Sequence, residues 1–185
     1  MFDLDQFVSD CRSALRQQSA HPAVREVVAR AVSEPAAVLR SLGEPTRGGL
    51  YILHQSPEIT ILNVVWPPWM TLLPHNHLMW AVIGVYTGRE DNIFWRQIRD
   101  RRDGKVEAAG ARALCVGDAE TLGRDVIHSV TNPIPRLTGA IHVYGGDFFA
   151  VARSEWDAET LLEAPSEGAK MARRLDEANA LFLKS

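Results

Sequence analysis

The chain has 185 residues, of which 46% are hydrophobic and 23% charged, and its formal net charge is -3. This length and composition predict one globular domain, 1–185. Because the net charge is slightly negative, we expect no basic surface that would bind the phosphates of a nucleic acid, and therefore no nucleic-acid partner. The acidic N-terminus and the lack of a run of about 18 apolar residues predict a cytoplasmic protein without a signal peptide or a membrane partner. Cys11 and Cys115 lack CxxC spacing, and Cys115 is expected to be buried.

Residues 1–48 show the apolar spacing of helices. Apolar side chains recur at three- and four-residue steps between residues 3 and 18, and Asp3 precedes them as a candidate N-cap. Pro22 suits the first turn of a second helix, because a residue there needs no amide hydrogen. Pro35 and Gly43 bracket a third, short helix. The sequence therefore predicts an N-terminal helical segment.

Residues 49–152 have a different character, with short runs of β-branched and aromatic residues separated by turn-forming clusters. Seven such runs follow one another without a helix between them: GLYILH, EITILNVVW, WAVIGVY, NIFWRQI, RALCV, VIHSV and LTGAIHVYG. Antiparallel strands in this arrangement predict a mainly β domain, either a sandwich or a closed barrel. Helical spacing returns from Ser154, so residues 153–185 are expected to form a helical arm against the barrel.

The sharpest local motif is PHNH at 74–77. Two imidazoles two residues apart at a strand entrance project to the same face of a sheet and can chelate one ion. By itself, such a pair is equally compatible with histidines that line a barrel or face solvent. About fifty residues downstream, GDAETLGRDVIHSVTN supplies a third histidine among turn-forming residues. The two motifs together predict a metal site made by His75, His77 and His128.

These motifs resemble those of the cupin superfamily. Its first motif contains a histidine pair like HNH at 75–77, and its second has a glycine-led turn and a histidine, which Gly117 and His128 match. The resemblance implies a double-stranded β-helix, a jelly-roll-like barrel, here with N-terminal helices and a C-terminal helical arm. A typical cupin has a glutamate ligand four or five residues after the pair. Those positions are Ala81 and Val82, so the implied ligand set contains three histidines and no carboxylate.

A three-histidine set resembles the thiol dioxygenase branch, which includes the cysteine and 3-mercaptopropionate dioxygenases. The resemblance implies Fe(II) as cofactor and O2 as co-substrate, although Ni, Zn or Mn would also bind such a site in a purified sample. HNHLMWAVIGVYTGRED is similar to the equivalent segment of the bacterial members, and its Trp80 is an implied substrate contact. His142 and Tyr144 match two members of the family's Ser-x-His-x-Tyr strand, which implies that His142 orients Tyr144 toward bound substrate or oxygen.

The chain departs from the family at three places. The triad serine is Ala140, and the cysteine that cross-links to the tyrosine in animal enzymes is absent. The family's arginine for the substrate carboxylate comes from an early strand, which has no arginine here. Gln55 or His54 is expected to replace it as a polar contact, unless either faces solvent. Arg96 and Arg124 are alternatives from another strand or loop.

The resemblance to the thiol dioxygenases implies a non-haem iron dioxygenase that oxidises a small thiol to a sulfinate with O2. One alternative is a metal-dependent cupin that acts on a non-thiol chelating substrate such as a diketone. The missing arginine favours this alternative over an enzyme specific for cysteine. Another alternative is a non-catalytic cupin that binds a metal or a ligand. The expected partner is a small molecule, and composition does not decide the oligomeric state.

Overall fold

A computed structural model describes residues 1–99 and 103–183. The described chain contains the α-helices Leu4–Leu15 (α1), Ala20–Val32 (α2), Pro35–Leu42 (α3) and Gly168–Phe182 (α4). Its β-strands are Gly49–Gln55 (β1), Thr60–Trp66 (β2), Thr71–Asn76 (β3), Ala81–Thr87 (β4), Arg89–Gln97 (β5), Val106–Cys115 (β6), Ala119–Leu122 (β7), Ile127–Thr131 (β8), Thr138–Tyr144 (β9), Ser154–Trp156 (β10) and Glu163–Pro165 (β11). None of the described helices has the length and apolar character needed to cross a membrane.

The three N-terminal helices cover one face of the strand region. Asp3 caps α1 as predicted, because its carboxylate accepts a hydrogen bond from the amide of Gln6 at 2.9 Å. Helix α2 begins two residues earlier than predicted and packs directly on β4. A Cβ atom on Gly84 would lie 2.4 Å from a methyl carbon of Val28. Glycine at this position therefore permits the close approach of helix and strand.

The strands form two antiparallel sheets that are wound from one long hairpin. One sheet has the order β1-β2-β9-β4-β7 and the other β11-β10-β3-β8-β5-β6. β5 pairs with its successor β6, and farther along the two arms β4 pairs with β7, β3 with β8, and β2 with β9. From β2 to β5, and again from β6 to β9, successive strands alternate between the two sheets. This winding confirms the predicted double-stranded β-helix, a mainly β fold with helices at both ends.

Side-chain alternation along β4 and β9 separates two apolar layers. Val82 and Val143 belong to the cluster that packs against α1, α2 and α3. Ala140, one step out of phase with Val143, belongs to the cluster inside the barrel. His142 and Tyr144 have the same parity as Ala140 along β9, so the strand period directs both side chains into the barrel.

The structure corrects the sequence prediction at three places. The arm 153–185 is not helical from Ser154, because β10 and β11 extend the six-stranded sheet beside β3 before α4 begins at Gly168. Two short segments without a predicted strand form β3 and β7. β3 contains Pro74, and β7 lies between two clusters of turn-forming residues, so neither segment has the sequence signature of a strand. Cys115 is exposed rather than buried, because it ends β6, an edge strand with few covering residues.

Candidate metal centre

Three histidine side chains meet inside the barrel. His75 lies near the end of β3, opposite His128 of β8 in the strand register, and His77 follows directly after β3. Nε2 of His77 lies 3.1 Å from Nε2 of His75 and 3.3 Å from Nε2 of His128. The histidine pair therefore lies at the exit of a strand rather than at the predicted entrance. The structure brings all three predicted ligands together.

The positions of the three side chains fit one divalent ion. Two nitrogens that bind one ion at about 2.1 Å and at right angles lie about 3.0 Å apart. Nδ1 of His75 donates to the carbonyl of Leu73 at 2.9 Å, and Nδ1 of His128 donates to Oδ1 of Asn92 at 2.7 Å. Because these bonds use the Nδ1 hydrogen, each Nε2 keeps the lone pair that a metal ligand needs. In the described part of the chain this group contains no carboxylate.

Burial keeps the three imidazoles neutral. It lowers the pKa of His75 from 6.5 to about 4. Burial, together with the neighbouring histidines, also lowers the pKa of His77 and His128 well below 6.5. A neutral imidazole binds a metal ion without first losing a proton. The site is therefore in its ligand form at neutral pH.

His142 and Tyr144 form a hydrogen-bonded pair beside these histidines. Nδ1 of His142 lies 3.1 Å from the phenolic oxygen of Tyr144, whose ring meets His77 edge-on with 5.1 Å between centroids. Ala140 has no polar side chain to reach His142. Instead, Nε2 of His142 lies 3.2 Å from Oε2 of Glu90, and both side chains are buried. Glu90 is thus the second hydrogen-bond partner of His142.

Glu90 is a buried carboxylate with several hydrogen-bond donors around it. Oε2 also accepts from Nε1 of Trp66 at 2.7 Å, and Oε1 accepts from Nδ2 of Asn92 at 3.1 Å. Burial raises the pKa of Glu90, but the nearby His142 and the hydrogen bonds outweigh that effect and hold the pKa below its ordinary value. Because Asn92 donates to Glu90 through its amide nitrogen, its oxygen faces His128. One hydrogen-bonded chain therefore connects the ligand His128 to His142.

The proton on His142 decides where Tyr144 donates its hydrogen. Burial raises the pKa of the Tyr144 phenol, so the phenol is neutral. Ionised Glu90 only accepts hydrogen bonds, so Nε2 of His142 carries a hydrogen. In a neutral imidazole, Nδ1 then accepts the phenolic hydrogen. In an imidazolium, Nδ1 donates to the phenolic oxygen and leaves the phenolic hydrogen free for a molecule in the cavity.

A cavity of about 340 Å³ adjoins the histidines and is lined by the His142–Tyr144 pair. Most of its wall is apolar and comes from barrel strands, the segment after β9 and α4, including Leu50, Val64, Leu72, Phe148, Met171 and Leu175. Two charged residues, Arg153 and Glu155, also line it. The carboxylate of Glu155 pairs with Lys170 and Arg174 of α4, at 3.5 and 3.6 Å. Its charge is therefore paired with two cations of α4 that lie behind the cavity wall.

The early strand has no arginine that could bind a substrate carboxylate. Arg153 supplies a cation in the cavity wall instead. It lies in the loop between β9 and β10, and its guanidinium carbon stands 3.7 Å above the ring centroid of Phe148. That ring packs against Tyr144 with 4.3 Å between centroids. Burial lowers the pKa of Arg153, yet a guanidinium stays charged at neutral pH. No ion pair engages Arg153 among residues 1–99 and 103–183, so its charge is available to an anion in the cavity.

Gln55 and Trp80, the expected substrate contacts, do not line the cavity. Nε2 of Gln55, on the edge strand β1, donates to Asp147 at 2.9 Å. Trp80 has the parity of the outward-facing side of β4 and stacks on His21 of α2 with 5.2 Å between ring centroids. The other polar candidates are also absent from the cavity wall, namely His54, Arg96 and Arg124.

The sequence interpretation missed Glu90, Asn92 and Arg153. Glu90 lies in the segment TGRED, which has the composition of a turn but forms the start of β5. Residues 89–92 are all polar, so no hydrophobic alternation in the sequence marks Glu90 and Asn92 as the buried members of this segment. Arg153 also lacks a sequence signal, because its place in the cavity depends on the path of the loop after β9.

Comparison with protein-family models finds no match for this chain. Solved structures similar to it include an oxalate oxidase in complex with glycolate, at 13% identity and a TM-score of 0.43, covering 56% of this chain and 53% of that one. Another is oxalate decarboxylase from Bacillus subtilis, at 13% identity and a TM-score of 0.43, covering 57% and 27%. A third is an RmlC-like cupin family protein with a double-stranded β-helix fold from Methanocaldococcus jannaschii, at 10% identity and a TM-score of 0.46, covering 58% and 87%. The chain thus spans about half of the matched oxidase and about a quarter of the matched decarboxylase.

Proposed function

We propose that this protein is a non-haem iron(II) thiol dioxygenase that converts a carboxylate-bearing thiol and O2 into a sulfinate. The observation that carries the proposal is the group of three neutral histidines without a carboxylate, beside the His142–Tyr144 pair. Both oxygen atoms of O2 end on sulfur, which gives up the four electrons that O2 takes. The overall reaction therefore consumes no further reductant.

The histidines His75, His77 and His128 would hold the iron. Three neutral ligands leave the charge of the ion uncompensated and several coordination positions open, which suits an anionic substrate and O2. Iron(II) in this site would supply the redox chemistry that protein side chains lack. Nickel, zinc or manganese would fit the same nitrogen ligands.

The other side chains bind and orient the substrate. Arg153 would bind the substrate carboxylate, because its buried guanidinium has no acidic partner among the described residues. Tyr144 would hydrogen-bond the bound molecule, with its phenolic oxygen held in place by Nδ1 of His142. Glu90 fixes the ring of His142 by accepting a hydrogen bond from Nε2 of that ring. The apolar wall would exclude bulk water from the reacting atoms.

Oxygen uptake by the iron-reconstituted protein tests this proposal. The protein is loaded with iron(II) under anaerobic conditions and mixed with aerated buffer that contains one thiol from a panel with and without carboxylates. We expect uptake above background for a thiol acid, and we expect uptake to fall strongly in Arg153→Gln. Background uptake with every thiol on the panel would contradict the proposal.

A second candidate is a metal-dependent dioxygenase that acts on a non-thiol chelator such as a diketone, because three neutral histidines leave open positions that any small chelator can occupy. The two candidates differ in what binds next to the iron. Addition of thiols shifts the ferrous-nitrosyl spectrum of a thiol dioxygenase, whereas a carbon-cleaving enzyme responds to the non-thiol chelator instead. Tight metal binding without turnover of either class would instead indicate a non-catalytic binding protein.

A further inference from the structure

The cavity is larger than a small thiol acid requires. Its volume of about 340 Å³ corresponds to roughly eleven water molecules at ~30 Å³ each. A thiol acid with a three-carbon chain fills only about half of that space. The remainder can hold another part of the substrate.

Part of the remaining wall is apolar and fixed in place. Leu50 and Leu72 from the barrel and Met171 from α4 line it. Asn179 of α4 accepts a hydrogen bond from the amide of Gly48 at 2.7 Å and donates one to its carbonyl at 3.0 Å. Because α4 is bonded to the chain just before β1, its apolar side chains form a fixed wall of the cavity. An apolar group against this wall would lose contact with water, which favours binding.

The charges of the wall suit a carboxylate and disfavour an ammonium group. Arg153 is the cation without an acidic partner among the described lining residues. Among the described residues that line the cavity, Glu155 is the one carboxylate, and it already pairs with both Lys170 and Arg174. The ammonium of an amino acid would therefore enter the cavity without an anion to pair with, at a cost in desolvation.

We infer that the substrate is a thiol acid that carries an apolar substituent and no amino group. Its carboxylate pairs with Arg153 and its apolar group lies against Leu50, Leu72 and Met171. The thiol part of this inference rests on the proposed function. The sites for the carboxylate and the apolar group rest on the cavity alone, so they are testable without iron or thiol.

Calorimetric titration of the metal-free protein with straight-chain carboxylates, from propanoate to octanoate, tests the two sites. We expect affinity to rise about fourfold for each added methylene until the space is filled. Met171→Trp should remove the gain for the longer chains, and Met171→Ala should extend it. Ala180→Trp is the matched control, because Ala180 is exposed on α4 and outside the cavity. Equal affinity for short and long carboxylates in the wild-type protein would overturn the inference.

A second experiment separates this inference from the proposed function. The iron-loaded protein is assayed with mercapto acids that differ only in an alkyl substituent, and kcat/KM is compared. We expect the substituted acids to be preferred at least tenfold, and Met171→Trp to cancel the preference. Chain-length-dependent binding without oxidation of any thiol would contradict the proposed function and leave the cavity sites standing. Oxidation of short and substituted acids with equal kcat/KM would overturn the inference and support the proposed function.

Discussion

Glu90→Gln is expected to disturb a metal ligand that Glu90 does not touch. The carboxylate accepts hydrogen bonds from Trp66, Asn92 and His142 at 2.7, 3.1 and 3.2 Å. A glutamine side chain of the same shape has one oxygen, so when that oxygen faces Trp66 and His142, its amide nitrogen meets the amide nitrogen of Asn92. Asn92 relieves this contact between two donors only by turning its amide. The turned amide presents its nitrogen to Nδ1 of His128 and forces the hydrogen of that imidazole onto Nε2.

The expected loss is a loss of metal affinity. A metal needs the lone pair on Nε2 of His128, and restoring that lone pair turns Asn92 back into the contact between two donors. A buried donor without an acceptor costs about 1–3 kcal/mol, so metal affinity should fall by about 10–100-fold, measured by competition with a chelating indicator. Glu107→Gln is the matched control, because Glu107 is exposed and pairs with exposed Arg96. Wild-type metal affinity in Glu90→Gln would refute the connection to His128.

Three further changes are predicted to have separable effects. Tyr144→Phe should lower kcat by about a hundredfold through loss of a hydrogen-bond donor, with metal content unchanged, whereas exposed Tyr51→Phe should leave kcat unchanged. The unfolded protein binds a proton at His75 below about pH 6.5, but the folded, metal-free protein binds it only near pH 4. The free energy of unfolding should therefore fall by about 1.4 kcal/mol per pH unit on acidification between these values, and His75→Leu should remove that share of the slope in denaturant titrations at several pH values. Asn179→Ala leaves the amide and the carbonyl of Gly48 without their partner. In the same denaturant titration, each unpaired group should lower the free energy of unfolding by about 1–3 kcal/mol.

The barrel follows from the sequence because strand-forming runs and turns alternate clearly over residues 49–152. The alternation along LTGAIHVYG also predicts that His142 and Tyr144 share a face. Local propensity fails where tertiary pairing decides the structure. Thr71–Asn76 forms a strand although it contains Pro74, because it pairs on both sides, with β8 and with β10.

The candidate site is predictable in its ligands and not in their surroundings. His75, His77 and His128 lie in motifs with a recognisable spacing, so two distant segments indicate one site. Glu90 and Arg153 have no such motif. The burial of Glu90 depends on pairing of β5 with β8, and the approach of Arg153 depends on the loop after β9. Both positions arise from the three-dimensional path of the chain, which a single sequence does not specify.

The most direct test of the central claim is mass spectrometry of the product formed under ¹⁸O2 by the iron-loaded protein. The account predicts a sulfinate in which both oxygen atoms are labelled, formed from a thiol acid with one O2 consumed per product. His128→Ala should retain little iron and form no sulfinate, because one of the three ligands is lost. A product that carries solvent oxygen, or a disulfide as the only product, would contradict the account.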